Sequence, residues 1–324
     1  MSIITFEHIK KTFEEVMVLE DFNLNIDEGE FVVILGPSGC GKTTIIKLIN
    51  GLLKADEGII SIRGKKIEDW NKIELRRSMG YVIQQVGLFP HLSVERNICY
   101  TLNLIKIDKV EQHKRALELI ELVGLDASYL SRYPRELSGG QQQRIGVARA
   151  LATNPDIILM DEPFGAVDEI TRRGLQEEIT KIHGMLGKTI VFVTHDIEEA
   201  VKLGSRIVLL NEGRIDRDKL KKDFVLSKER TDYAENFFGS KDFISYLNSV
   251  KIRDCIDLFG IDGVAAVEVD AKDSMVSVDG NLSALRGIKT CIENKTNVLV
   301  VHDDEGKLIG YFTIDSVYKH LLDI

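Results

Sequence analysis

The sequence predicts an α/β fold: a largely parallel sheet with helices on both faces, followed by a smaller α+β module. Three observations predict it. Short β-branched runs at Phe31–Leu35 and at residues 80–83, 157–160, 190–194 and 206–210 are nearly all apolar and alternate with helical stretches, as strands buried on both faces do. Residues 88–155 are mostly helical in pattern, most clearly over 110–123, which predicts a helical subdomain inserted into the core. At 324 residues the chain is too long for one average domain. Polar, mixed-charge sequence over 213–228 marks the boundary, giving a first domain over 1–220, a linker over 221–245 and a second domain over 246–324.

The first buried run leads into Gly36-Pro37-Ser38-Gly39-Cys40-Gly41-Lys42-Thr43, which matches the phosphate-loop pattern G-x-x-x-x-G-K-[ST]. Ile45, Leu48, Ile49 and Leu52 follow at helical spacing, so strand, loop and helix come in the order such a loop requires. Glycines let the backbone close on a phosphate with its N–H groups pointing inward. The helix start adds the positive end of its dipole. Lys42 brings a full charge to the β- and γ-phosphates, Thr43 offers a hydroxyl to Mg²⁺, and Thr44 follows on the same turn. The loop therefore implies a bound nucleoside triphosphate.

Residues 157–160 end in Asp161-Glu162-Pro163, an apolar strand with two carboxylates at its C-terminal end. Behind a phosphate loop this fits a metal ligand and a base: Asp161 would hold Mg²⁺, directly or through water, and Glu162 would polarise the attacking water. Leu137-Ser138-Gly139-Gly140-Gln141-Gln142-Gln143-Arg144 is the most specific string. Ser138 can cap the helix that follows, and two glycines leave its N–H groups accessible, making a second phosphate-suited helix start. A plain serine–glycine cap explains Ser138 but not the whole string.

Composition narrows the rest. Apolar content of 44% and charged content of 29% are those of a globular protein, and no apolar run approaches the ~18 residues of a membrane span. The N-terminus shows no secretory signal pattern. A net charge of −9 argues against a nucleic-acid binder. Cys40, Cys99, Cys255 and Cys291 are far apart and read as reduced thiols. Apart from His195, the histidines show no metal-ligand spacing. In the second domain, 275–278, 298–301 and Leu308–Thr313 read as strands, Leu282 to Ile292 as a helix and 316–322 as a closing helix, with Asp303-Asp304-Glu305-Gly306 as the turn between the last two strands.

With these strings in hand, the sequence resembles the ATPase subunits of ATP-binding-cassette (ABC) transporters over about residues 1–220; LSGGQQQR resembles their signature. The resemblance implies a P-loop ABC ATPase fold, ATP and Mg²⁺ as cofactors, and a head-to-tail homodimer. Each ATP would lie between one subunit's loop (Gly36, Ser38, Gly39, Cys40, Gly41, Lys42, Thr43, Thr44) and the other's Ser138, Gly139, Gly140 and Gln141. It matches Phe13 to the aromatic on adenine, though Phe13 also reads as core packing. It selects Gln84 over its neighbour Gln85 as the Mg²⁺- and water-sensing glutamine. It matches Asp168 to the aspartate that contacts the opposite subunit, a residue that also reads as the cap of the next helix. It places His195 on the γ-phosphate. Catalysis is thus assigned to Glu162, His195, Lys42 and Gln84, and the metal to Thr43, Gln84 and Asp161.

Gly87-Leu88-Phe89-Pro90-His91-Leu92-Ser93-Val94 resembles the stretch that meets a membrane subunit in bacterial importers. With residues 81–91 and 164–168 it most resembles osmoprotectant importers of glycine betaine, carnitine or choline, although Glu169 stands where that group has proline. Polyamine, sulfate or sugar cargo is the alternative. A soluble ABC ATPase is disfavoured, since the chain has one cassette and no long heptad run. The implied partners are a second ATPase subunit, membrane permease subunits and, indirectly, an extracellular substrate-binding protein; the implied place is the cytoplasmic face of the cell membrane. Residues 297–310 resemble a cystathionine-β-synthase-type (CBS) regulatory repeat, with 250–270 as a degenerate first half. This implies an adenine nucleotide site or, alternatively, a dimerisation module. Ser316 and Asp315 do not match the repeat's ribose-binding aspartate.

Overall fold

The computed structural model describes residues 2–84, 87–165, 167–221, 224, 233, 247–248, 251–253, 276–296 and 298–313. The chain divides into two compact units, Met1–Phe224 and Val225–Ile324. Almost all of the expected linker, most of the expected first half at 250–270, the closing helix at 316–322 and Cys255 lie outside the described residues.

In the first unit, β1 (Ser2–Phe13), β2 (Val16–Asp27) and β3 (Phe31–Leu35) lead to α1 (Lys42–Ile49). Next come β4 (Glu57–Ile62), β5 (Lys65–Lys66), α2 (Lys72–Arg77) and β6 (Met79–Val82). The helical part holds α3 (Val94–Ile98), α4 (Tyr100–Leu104), α5 (Lys109–Leu122) and α6 (Gly139–Leu151). The unit ends with β7 (Ile157–Asp161), α7 (Glu169–Leu186), β8 (Thr189–Thr194), α8 (Ile197–Leu203), β9 (Arg206–Asn211) and β10 (Arg214–Leu220).

The six-stranded sheet runs β10-β9-β3-β8-β7-β6, parallel from β9 to β6. Every residue of β3, β7 and β8 is buried, which is why these strands read as unbroken apolar runs. Parallel strands deliver their C-terminal ends to one edge. Here Leu35 pairs with Thr194, Asp161 with Val193 and Val82 with Met160, so the phosphate loop, the Asp161-Glu162 pair, Gln84 and His195 all start from that edge.

Three features depart from the sequence reading. A second, antiparallel sheet, β2-β1-β4-β5, covers α1. Bulges interrupt its alternation, with His8 at φ 52° and Asp21 at φ 49°, so a clean period of two is confined to short pieces, the clearest over residues 22–27. The polar stretch read as a boundary includes β10, an antiparallel edge strand. Its charges suit an edge, and Asp218 accepts from Arg206 Nε and Nη2 at 2.6 Å each. The first helix also stops at Ile49; the chain turns at Gly51 (φ 65°) and leaves Leu52 50% exposed.

One core cluster joins both sheets to α1: Phe6, Ile9, Phe22 and Ile26 meet Ile45, Leu48 and Ile49 and, beyond them, Val32, Ile34, Leu159 and Val191. The helix that carries Lys42 and Thr43 is thus held from both sides. Gly80 lets β6 approach α6, since a Cβ there would lie 2.5 Å from the Ala150 carbonyl.

In the second unit, β11 (Val276–Asp279) pairs in parallel with β12 (Val298–His302), which pairs antiparallel with β13 (Leu308–Thr313). Helix α9 (Ala284–Glu293) starts at the Ser283 cap, and Ala284, Cys291, Leu299, Val301 and Phe312 form its core. Among the described residues no helix is long and apolar enough to cross a membrane.

Candidate active site

The phosphate loop bends through Gly39 (φ 85°) and Gly41 (φ 108°), conformations that favour glycine. At Gly41 a Cβ would also lie 3.0 Å from the Val18 carbonyl. Ser38 and Gly39 form the exposed tip, where a Cβ at Gly39 would meet nothing within 4 Å. Cys40 is buried, which pushes its thiol up. Lys42 is only 4% exposed; its Nζ donates to the carbonyls of Gly36 and Pro37 at 2.8 Å each and lies 3.8 Å from Glu162 Oε1. Thr44 is half-buried on the first turn of α1.

Thr43 donates from Oγ1 to Oδ1 of Asp161 at 3.0 Å. Asp161, 6% exposed at the end of β7, is pushed above the usual carboxylate range by burial; the Thr43 hydroxyl opposes this and Glu162 reinforces it. The next residue turns sharply. Glu162 sits at φ 42°, a strained value for a residue with a side chain, and its N–H donates to Val193 O at 3.0 Å. Its carboxylate gathers three other candidates. Oε2 accepts from Gln84 Nε2 at 3.3 Å and lies 3.3 Å from His195 Nδ1, while Lys42 approaches Oε1.

These residues fit a magnesium nucleotide. The donors beside Lys42 are a carboxylate, a hydroxyl and an amide, all hard oxygen ligands, with one buried lysine for phosphate charge. Among the described residues no group of three or more His, Cys, Asp or Glu could hold a metal alone. Mg²⁺ keeps waters and takes oxygens from the nucleotide as well as from the protein.

The remaining candidates lie apart from the Glu162 cluster. Phe13 ends β1, 40% exposed, with Lys11 Nζ 5.2 Å from its ring centre. Ser138 caps α6 in a reciprocal box: its Oγ accepts from Gln141 N–H at 3.3 Å, and Gln141 Oε1 accepts from Ser138 N–H at 3.0 Å. Ser138 and Gly139 are exposed, while Gly140 is pressed against Thr171 of α7. Asp168 caps α7, accepting from Thr171 N–H at 3.1 Å. Ser138 and Gly139 thus stand exposed at the start of α6, and Asp168 is exposed at the start of α7.

A groove of about 320 Å³ lies between the sheet and the helical part, lined by Tyr81, Ile83, Gly87, Phe89, Tyr100 and Arg149. The rings of Phe89 and Tyr100 are 4.4 Å apart, and Arg149 donates to Gly87 O at 2.8 Å. It places the Leu88–Phe89 segment beside the strand that leads to Gln84.

The sequence reading missed Glu199. Asp196-Ile197-Glu198-Glu199 has the D-x-x-E form of a capping box, which would send the glutamate back to the Asp196 N–H. Thr194 Oγ1 takes that N–H at 3.0 Å instead, and Glu199 accepts from the Thr194 hydroxyl at 2.6 Å. The only signal in the sequence was a capping glutamate on the inward, apolar side of α8.

The family described as ABC transporter matches residues 19–165. The chain is 42% identical over 316 residues to the choline transport ATP-binding protein OpuBA of Bacillus subtilis (strain 168), covering 97% of this chain and 79% of that protein. It is 47% identical over 237 residues to the glycine betaine uptake system ATP-binding protein YehX of Escherichia coli (strain K12), covering 73% and 77%. The chain belongs to the ATP-binding subunits of ABC transporters. This ABC subunit is an ATPase, with ATP and Mg²⁺ as its cofactors. The fold agrees: the dimeric, post-hydrolysis structure of the ATP-binding cassette MJ0796 bound to ADP and Pi superposes with a TM-score of 0.61 at 39% identity, covering 67% of this chain and 98% of that one.

Proposed function

We propose that this chain is the ATP-hydrolysing subunit that powers import of a quaternary amine osmoprotectant, such as glycine betaine, carnitine or choline, through membrane permease subunits. The observation that carries the hydrolytic part is the meeting of Gln84, His195 and Lys42 at one carboxylate, Glu162, beside the Thr43–Asp161 pair. The cargo class is supported by the names of the two relatives, a choline and a glycine betaine system. These do not favour polyamine, sulfate or sugar cargo.

Lys42 and the loop N–H groups hold the triphosphate, and Phe13 takes the adenine. Thr43, Asp161 and Gln84 would hold Mg²⁺, which would neutralise charge on the phosphate oxygens. Glu162 orients the attacking water and accepts its proton, a role typically contributing ~10²–10⁴-fold. His195 and Gln84 fix the Glu162 carboxylate, and His195 turns to the γ-phosphate. Ser138, Gly139, Gly140 and Gln141 of a second copy close the site from the other side, and Asp168 meets that copy. The exposure of Ser138 and Asp168 at helix starts supports this arrangement.

In this reading the groove at Phe89 and Tyr100 receives a permease helix, and the chain works on the inner face of the cell membrane. Residues 246–324 act as a CBS-like regulatory module, supported by the β-α-β-β order of their described part.

The test is uptake in cells lacking their own osmoprotectant transport, carrying this chain with its permease partners. Labelled glycine betaine, carnitine and choline, with spermidine as control, are followed at high salt. Uptake of a quaternary amine that stops with Glu162→Gln supports the reading; uptake of spermidine alone overturns the cargo.

A further inference from the structure

The side chain of His195 is 56% exposed, yet the residues on either side of it are tied down. Thr194, the buried last residue of β8, has one hydroxyl proton and gives it to Glu199 Oε2 at 2.6 Å. With the proton directed there, a lone pair of the same oxygen meets the Asp196 N–H at 3.0 Å. Asp196 then accepts from the N–H groups of Glu198 and Glu199 at 2.8 and 3.3 Å, which caps α8 at the residue directly after His195. Arg172 Nη1 approaches the other Asp196 oxygen at 3.8 Å.

Glu199 is 5% exposed, and burying a carboxylate against a hydroxyl is a poor route to stability. What it provides is direction: without an acceptor at Glu199, the Thr194 hydroxyl can turn away and release the Asp196 N–H. The backbone that aims His195 would then lose its hold on one side. We propose that Glu199 is a positioning residue for His195, acting through the Thr194 hydroxyl. This rests on the reading of His195 as part of the hydrolytic site.

The experiment is steady-state MgATP hydrolysis by the full-length chain, with kcat and KM separated, for the wild type, His195→Ala, Glu199→Ala, Glu199→Gln, Thr194→Val and the double variant His195→Ala/Glu199→Ala. Displacing a catalytic group by about an ångström can cost ~10²-fold. Glu199→Ala and Thr194→Val are expected to lower kcat about tenfold or more with KM within about threefold of wild type. Glu199→Gln, whose amide oxygen can still accept from Thr194, is expected to restore most of the turnover. The double variant is expected to be no slower than His195→Ala.

If His195→Ala loses turnover while Glu199→Ala and Thr194→Val keep it, the positioning role is wrong and the reading of His195 stands. A double variant much slower than His195→Ala also overturns the role, because Glu199 then acts elsewhere. If His195→Ala itself keeps wild-type turnover, the underlying reading fails and takes the proposal with it. Should Glu199→Ala not fold, judged by circular dichroism, Thr194→Val decides alone.

Discussion

The Nε2 amide of Gln84 donates to Oε2 of Glu162 at 3.3 Å, although 78 residues separate them. The two sit past the ends of β6 and β7, neighbouring parallel strands in register from Met79–Ile157 to Val82–Met160. His195 Nδ1 stands 3.3 Å from the same oxygen. One carboxylate oxygen thus shares two partners, one leading toward the Phe89 groove and the other toward α8.

That arrangement makes Glu162→Gln the sharpest test of the chemistry. The amide keeps the size and can still accept from Gln84, but it cannot take a proton from water. Turnover at saturating MgATP should fall ~10²-fold or more, while nucleotide binding stays within a fewfold of wild type. If two copies close on ATP, the variant should also accumulate as a dimer on size-exclusion chromatography only when MgATP is present. Undiminished hydrolysis would remove Glu162 from its assigned role.

Asp161→Asn separates metal binding from folding. Burial raises the Asp161 pKa, so its ionised form weighs against the folded state at pH values above that raised pKa. With no divalent ion present, the variant should melt at or above the wild-type temperature at pH 8. With Mg²⁺ and ATP added, the wild type should gain the larger rise in melting temperature, because it has the carboxylate for the ion. Hydrolysis should need at least about tenfold more Mg²⁺, in line with the loss of a charged ligand. An equal ligand-induced shift in both proteins would argue that Asp161 does not serve the metal.

Gly80→Ala tests how the catalytic edge is set. A Cβ at Gly80 would lie 2.5 Å from the Ala150 carbonyl, a backbone atom that cannot rotate away. Strand β6 and helix α6 must separate, at a cost of about 1–3 kcal/mol. That strand leads to Gln84, and that helix begins at Ser138. The variant is expected to lose stability in urea and also turnover, even though Gly80 is not one of the candidate catalytic or metal residues. Full activity with reduced stability would show that the strand–helix spacing does not set the site.

The parts of this molecule that were legible in its sequence are those where one pattern meets one demand. Buried parallel strands need unbroken apolar runs, and residues 157–160 and 190–194 have them. A phosphate loop needs glycine at positive φ, and Gly39 and Gly41 are both there. What stayed hidden had its pattern overwritten by neighbours. Bulges at His8 and Asp21 cut the alternation of β1 and β2 into short pieces, of which residues 22–27 are the clearest. Strand β10 carries arginine, aspartate and lysine because it lies on an edge, so it read as a boundary. Glu199 looked like a helix-capping residue because its partner, Thr194, belongs to the preceding strand and reaches it only once the β8–α8 turn has formed.

Glu199 also gives a prediction with a defined sign in pH. Burial pushes its carboxyl from 4.5 up to about 7, with the Thr194 hydrogen bond opposing the shift and Asp196 adding to it. The folded chain therefore keeps this proton over a range where the unfolded chain has released it. The stability from this group is fully present below about pH 4.5 and is lost as pH rises through about 7. The loss is on the order of 3 kcal/mol. Glu199→Gln has no proton to lose and cannot follow this curve. Its melting temperature relative to wild type should rise by several degrees between pH 5 and pH 8, with the steepest change between the unfolded and folded pKa values, about 4.5 and 7, and a plateau above them. Comparing the two proteins cancels the titration of shared groups that do not interact with Glu199, such as Asp161. Melting curves for both at half-unit pH steps measure the effect directly, and a difference that stays flat across the range would mean that Glu199 is ionised in the folded chain well below pH 7.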